Sequence, residues 1–456
     1  MIVQLGRAGK MWSREFVQLC TDVLKMENFR FGKTVTPSLV MSVLHLAIFF
    51  LLLYGYEYYI VPIYGYEGYY FEPNKGKFIF ALGMSFILSL LTPIDNSKPS
   101  TLFLHVTLIF VLIPMLVIFY ADDKSWVYTL QSVVAYCIIL LVLPSLKGKY
   151  LRLPSLDNND LLKVLLLLSA LYVVSVFSMG GASYFNLDIS KVYDFRTDVD
   201  ENLAGIFGYI SPLIGNVLLP FALLLALILK RYFSALVSIV LSILVFGLTA
   251  HKGPLFYPIF VVVIYSLISN KNLIRNFSMI VIVVLSLSIL DFLFFDTFVN
   301  FLYGWFGSLT MRRMFIVPAN INYMYFDFFS VNDFVVWSNS KLTMGLINYP
   351  YSMDTSHLIG LEYYNNEATG ANTGWLGSGY MHAGFLSIVL YALIISLVFS
   401  YIDKLATRVE DRRLVVAGTF VPIITLIISA DLPTSFLTHG LFVNLILIGF
   451  LKRTEE

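Results

Sequence analysis

The sequence predicts an all-α, polytopic integral membrane protein of about twelve transmembrane helices, with both ends on the cytoplasmic side. Three observations carry this. Hydrophobic residues make up 58% of 456 residues and charged residues only 13%, against about 25% charged in an ordinary soluble domain. Apolar runs of spanning length, about 20 residues each, follow one another along the chain. Lysine and arginine are distributed unevenly over the segments between those runs, as membrane topology requires.

The runs read as spans near 38–60, 78–94, 100–120, 126–144, 161–180, 204–229, 233–250, 254–269, 277–298, 374–402, 414–431 and 439–451. Residues 1–37 come first and are largely polar. Phe16, Leu19, Cys20, Val23 and Leu24 recur there at helical spacing among Arg14, Lys25 and Arg30. That pattern fits an amphipathic helix on the cytoplasmic membrane surface, with a frayed tail as the alternative. A signal peptide would place its apolar core sooner. With the N-terminus inside, 21 of the 30 basic residues fall on cytoplasmic segments. Residues 38–451 then form one transmembrane domain, and 452–456 a cytoplasmic tail. Cys20 and Cys137 lie in dissimilar surroundings and define neither a disulfide framework nor a metal site. No nucleotide-binding Gly-rich loop is present.

Three extracytoplasmic segments are long: 55–77, 181–203 and 299–373. Loops of that length are commonly functional or disordered. The third is rich in aromatics, which argues for order, and "YGWFGSLTMRRMFIVPANINYMYFDFF" suggests helices along the interface. The first reads "YGYEYYIVPIYGYEGYYF". Its tyrosines, Tyr66 among them, fit an interfacial aromatic belt or a platform that stacks on sugar rings.

The cations on this side run against the topological bias. Arg196 stands among acids in "KVYDFRTDVDEN". A guanidinium there can grip a phosphate through paired hydrogen bonds or form a solvated ion pair with Asp194 or Asp198. Asp198 and Asp200 make a short D-x-D pair, which is a weak metal signal. "TAHKGPLF" sets His251 and Lys252 in a tight turn, as a phosphate anchor or simply as solvated turn residues. Arg312 and Arg313 are adjacent in "TMRRMFIVP". On a helix they lie about 100° apart, so one of them is expected to point into a site. His357, Glu362 and Glu367 can each accept a proton. Asn372 and Thr373 precede a span opened by Gly374, Gly377, Gly379 and Gly384, with His382 just inside it. Glycines at such a place permit close approach of backbone or ligand. His45 and His105, inside the membrane, read as interhelical hydrogen-bonding groups rather than a proton relay.

"VYDFR", "TAHKGPL", "RRMFIVPANINYMYFDFF" and "NTGWLGSGYMHAGFLSIVLY" together resemble the O-antigen polymerase family, the Wzy-type oligosaccharide repeat-unit polymerases, over roughly 190–400. The resemblance implies a multispanning, GT-C-like glycosyltransferase of the bacterial inner membrane with a periplasmic active site. It would polymerise undecaprenyl-diphosphate-linked oligosaccharides, working beside the flippase and chain-length regulator of the same pathway. Arg196, Lys252, Arg312 and Arg313 would then bind diphosphate, His357 or Glu367 would act as base, and Asn372, Thr373 and Tyr66 would contact glycan. An O-antigen ligase, a lipid-linked oligosaccharide flippase or other transporter, and a non-catalytic scaffold are the alternatives.

Overall fold

The fold was analysed on a computed structural model, which describes residues 37–146, 153–188, 207–268, 272–294, 304–340, 343 and 345–452. The expected amphipathic segment before residue 37, Cys20, Arg196, Asp194, Asp198, Asp200 and the 453–456 end of the tail lie outside them.

The chain is an all-α bundle. Eight helices among the described residues are long and apolar enough to cross a membrane: α1 (Pro37–Glu67), α3 (Pro99–Ala121), α4 (Trp126–Ser145), α5 (Asn158–Ser178), α6 (Ile210–Ile228), α7 (Tyr232–Thr249), α9 (Leu273–Leu293) and α13 (Phe385–Ala406). α2 (Lys75–Leu91) and α14 (Arg412–Ile428) have 17 residues and α8 (Gly253–Ile268) has 16. α3 is the hub: its apolar window is wholly buried, whereas α5 and α9 bury 39% of theirs. The exposed Leu167, Leu168, Leu171 and Val174 of α5, and Phe233, Leu236 and Val240 of α7, form the apolar outer surface that lipid requires.

Several hydroxyl side chains inside the bundle satisfy themselves locally. Ser169, Thr107 and Thr419 each donate to the carbonyl four residues back, at 2.7–2.8 Å, which leaves no bare hydroxyl for hydrocarbon. The two intramembrane histidines tie three helices together. His45 Nδ1 meets Ser89 Oγ of α2 at 2.7 Å, His105 Nε2 donates to the Pro93 carbonyl at 2.9 Å, and the two rings lie 5.2 Å apart.

Three expectations about boundaries change. The first long loop is shorter than 55–77, because α1 continues as helix to Glu67. The span expected over 374–402 is two helices, α12 (Trp375–Ala383) and α13, broken at Gly384 with φ 63° and ψ −139°. That region of backbone space is open almost only to glycine. The span expected over 439–451 is the nine-residue α16 (Leu441–Gly449), preceded by α15 (Leu432–Leu437) and a turn at Gly440, φ 73°.

The long segment after α9 packs against the bundle over its described residues, and the surface formed by it and the turn between α3 and α4 is here the loop face. α10 begins as Trp305–Gly307, passes through a π-helical stretch, Ser308–Ile316, and continues as Val317–Phe329. It packs against α3: Phe315 stacks on Phe110 at 4.6 Å, and the Tyr323 hydroxyl donates to the Met115 carbonyl at 3.1 Å. Gly55 of α1 admits it, since a Cβ there would stand 2.0 Å from Met311 Sδ. α11 (Thr355–Tyr364) then covers part of this face, started by the Asp354 side chain accepting from Ser356 N at 3.1 Å.

Candidate functional site

The π-helical stretch of α10 sets the two adjacent arginines apart. Its wider turn carries Met311 and Arg312 inward and leaves Arg313 and Met314 exposed. Pro318 follows directly. A proline lacks the amide donor and its ring crowds the carbonyl four residues back, so the preceding turn widens.

Arg312 is only 9% exposed. Its Nη1 donates to both carboxylate oxygens of Glu67, at 2.8 and 2.6 Å, and its Nε donates to Ser308 Oγ at 3.1 Å. The guanidinium lies over the Tyr64 ring, 4.3 Å from its centre. Among the described residues Nη2 makes no hydrogen bond. Charge-assisted and cation–π contacts hold the group in one orientation. Tyr69 stands beside it, buried, with its hydroxyl facing that of Tyr364. Tyr364 of α11 closes the pocket. Burial first, and then the charge of Glu67, push its hydroxyl pKa up to about 12.

A second group of charges lies further along the same face. Lys124 pairs with the buried Asp122 at 2.8 Å, and Lys77 pairs with Asp123 at 2.9 Å and donates to the Lys124 carbonyl. Burial raises the pKa of Asp122, with Lys124 opposing. The hydrogen bond from Lys77 lowers that of Asp123.

A third group is a closed network. Trp337 N–H donates to His382 Nδ1 at 3.0 Å, which places the proton of the neutral ring on Nε2, where it is donated to Asp431 Oδ2 at 3.0 Å. Tyr391 donates to Asp431 Oδ1 at 2.8 Å and receives the Trp337 indole N–H at 2.8 Å. The Trp337 ring stacks on His382 at 4.7 Å. Both nitrogens of His382 are occupied and the ring is fully buried, so it fastens the 335–340 segment rather than exchanging protons.

The other expected site residues are placed as follows. His357 is exposed on α11 and its Nδ1 donates to the Glu367 carbonyl at 2.7 Å, while the Glu367 side chain is exposed. No described hydrogen bond or ion pair joins either of them to Arg312. Lys252 is half-buried in the turn before α8, next to His251, which faces His439. Tyr66 is 81% exposed at the end of α1. Asn372 is exposed, whereas Thr373 is buried with an unpartnered hydroxyl. Among the described residues no three metal-ligating side chains converge.

Glu67, Asp122, Lys124 and Asp431 belong to these groups and were not among the sequence candidates. Glu67 sat in a tract read for its tyrosines. Searches against family models, curated proteins and solved structures return no match.

Proposed function

We propose that this chain polymerises polyprenyl-diphosphate-linked oligosaccharide repeat units by glycosyl transfer, on the periplasmic face of the bacterial inner membrane. The observation that carries the reading is Arg312. A guanidinium almost withdrawn from water, held by one carboxylate and one aromatic ring, keeps Nη2 for a ligand. Exposed Arg313 next to it makes the local balance positive. That combination suits a diphosphate more than a neutral solute.

The finer architecture proposed with it is a GT-C-like bundle of twelve spans, with both ends cytoplasmic and the loop face outward. α2 and α14 reach the lower limit of span length, α8 comes within a residue of it, and α15 with α16 would supply the last crossing as a broken helix. The donor brings its own energy as a glycosyl diphosphate. The glycosidic bond to the diphosphate breaks as the bond to the acceptor oxygen forms. Fixed cations stabilise the departing charge more in the transition state than in the ground state. A polymerase binds two lipid diphosphates, one as donor and one as acceptor. Arg312 with Arg313 is one cation grouping and Arg196 of the second long loop is the other; Lys252 could complete either. His357 and Glu367 are the loop groups placed to accept the proton of the acceptor hydroxyl.

The test is an assay of purified protein with a synthetic polyprenyl-diphosphate oligosaccharide as sole substrate. A ladder of longer lipid-linked glycans is expected. Product only after a lipid A core is added would make the protein a ligase. Passage across a vesicle with no new bond would make it a transporter, and either result overturns the proposal.

A further inference from the structure

At the end of the bundle away from the loop face, three helices begin around one cleft. The turn before α3, the first residues of α3, α9 and α14, and the last residue of α8 line it. With its open mouth the cleft holds about 300 Å³ of unfilled space. From there α3 runs 23 residues to Ala121, beside the turn on the loop face, a distance of about 34 Å at 1.5 Å per residue. That is close to the thickness of the hydrocarbon core of a bilayer. The cleft therefore sits at headgroup depth in the opposite leaflet, which is the cytoplasmic one in the proposed topology.

Its lining is of two kinds. Lys98 and Arg412 are exposed, whereas Leu102, Ile268, Leu273 and Val416 are buried. Among the described residues that line it there is no carboxylate. The acids nearby are engaged by other groups. Asp95 accepts from Ser97 N and Oγ at 2.9 and 2.5 Å, and Asp403 of α13 accepts from Ser100 N and Oγ at 2.8 and 2.6 Å. Lys98 is left with Asp95 at 3.9 Å, the outer limit of an ion pair. Asp411, next to Arg412, is held by Arg413 and by the Tyr265 hydroxyl, each at 2.7 Å. Among the described residues Arg412 itself makes no hydrogen bond or ion pair. The starts of the three helices add partial positive charge of the same sign.

Two loosely held cations at headgroup depth, beside the apolar outer surface of the bundle, match one occupant. An anionic phospholipid can set its phosphate between Lys98 and Arg412 and lay its acyl chains along the helices. One to two turns from the cleft, α8 exposes Val263 and α9 exposes Met279 and Ile280, apolar surface of the kind those chains cover. A soluble phosphate would gain from the cations alone. A zwitterionic lipid would bring its own ammonium against them.

We infer that this cleft is a binding site for an anionic phospholipid of the phosphatidylglycerol class, held by Lys98 and Arg412. The bound headgroup ties together the starts of α3, α9 and α14. The site lies at the other end of the bundle from Arg312 and does not depend on the proposed transfer.

The test uses the full-length protein in phosphatidylcholine proteoliposomes that carry a trace of spin-labelled phosphatidylglycerol or spin-labelled phosphatidylcholine, with thermal melting to verify folding. Wild type should prefer the phosphatidylglycerol label by about 10- to 30-fold at one site, the scale of two cations near a lipid phosphate. Lys98→Gln with Arg412→Gln should bring the preference to within about twofold. Arg412→Gln alone, which breaks no described hydrogen bond or ion pair, should lose about fivefold. Lys163→Gln with Lys452→Gln removes two exposed cations at the same end of the bundle and should leave the preference intact. Excess glycerol phosphate in the medium should not displace the labelled lipid. No preference in the wild type overturns the inference. So does an equal loss in the two double variants, which would report surface charge rather than a site. Displacement by glycerol phosphate would assign the cleft to a soluble phosphate and overturn it as well.

Discussion

Arg312 carries a charge where water barely reaches, and Glu67 is what makes that tolerable. Removing one partner of such a pair leaves an uncompensated buried charge, at a cost of about 3–5 kcal/mol, whereas removing both can be nearly neutral. Arg312→Ala is therefore expected to lower the melting temperature and abolish the ladder together. The double replacement Arg312→Gln with Glu67→Gln should melt close to wild type yet lose about 100- to 1000-fold in transfer, the scale of removing one fixed charge-stabilising donor. A double variant that melts normally and still builds the ladder would remove Arg312 from the site. At this scale the sequence was partly legible. Two arginines against the topological bias marked the tract that holds the buried Arg312–Glu67 pair, but not which of them turns inward. That depends on the π-helical widening before Pro318, which an α-helical wheel does not anticipate. Glu67 escaped because it is a lone acid in a tyrosine tract, with its partner Arg312 far away in sequence.

Helices here are shaped by proline and glycine more than by apolar runs. The π-helical stretches at Tyr56–Ile60, Leu108–Leu112, Ile214–Leu218 and Ser308–Ile316 are each followed by a helix with proline at its first or second position. The rule is visible in the sequence once known, and it marks where a span departs from regular geometry. Apolar run length did not reveal the break at Gly384, because residues on both sides are equally apolar. Gly384→Ala is expected to cost about 1–3 kcal/mol, the price of holding a non-glycine residue in that backbone region, seen as a lower melting temperature in detergent. Gly374→Ala should be at least as harmful, since its Cβ would meet the Ile427 backbone rather than a movable side chain. The His382 network makes a separate prediction. His382→Phe leaves the Trp337 N–H and one Asp431 oxygen unpaired, at about 1–3 kcal/mol for each buried group. The 335–340 segment should then become the first site of limited proteolysis, and unchanged protease resistance there would show that the network does not hold it.

The bundle as a whole was the most legible level. Spanning length and apolarity are properties of whole segments, and tertiary packing does not override them in lipid. The packing of α10 against α3 was less so: a helix of mixed polarity suggests an interface, but only the contacts of Phe315 and Tyr323 show that it lies alongside the central span. The account's central claim is that transfer takes place on the loop face, outside the cytoplasm. Val331 is 82% exposed there, so Val331→Cys, in a protein whose other cysteines are replaced, reports orientation with an impermeant thiol reagent. In intact cells it should label from the outside. The decisive measurement is the sidedness of turnover in proteoliposomes, with a membrane-impermeant, short-chain lipid-diphosphate oligosaccharide added only to the external medium. The account predicts that the ladder forms in proportion to the fraction of molecules with residue 331 facing out, and is abolished when that fraction is blocked at the loop face. A ladder that tracks the opposite orientation, or that is indifferent to it, would contradict the account.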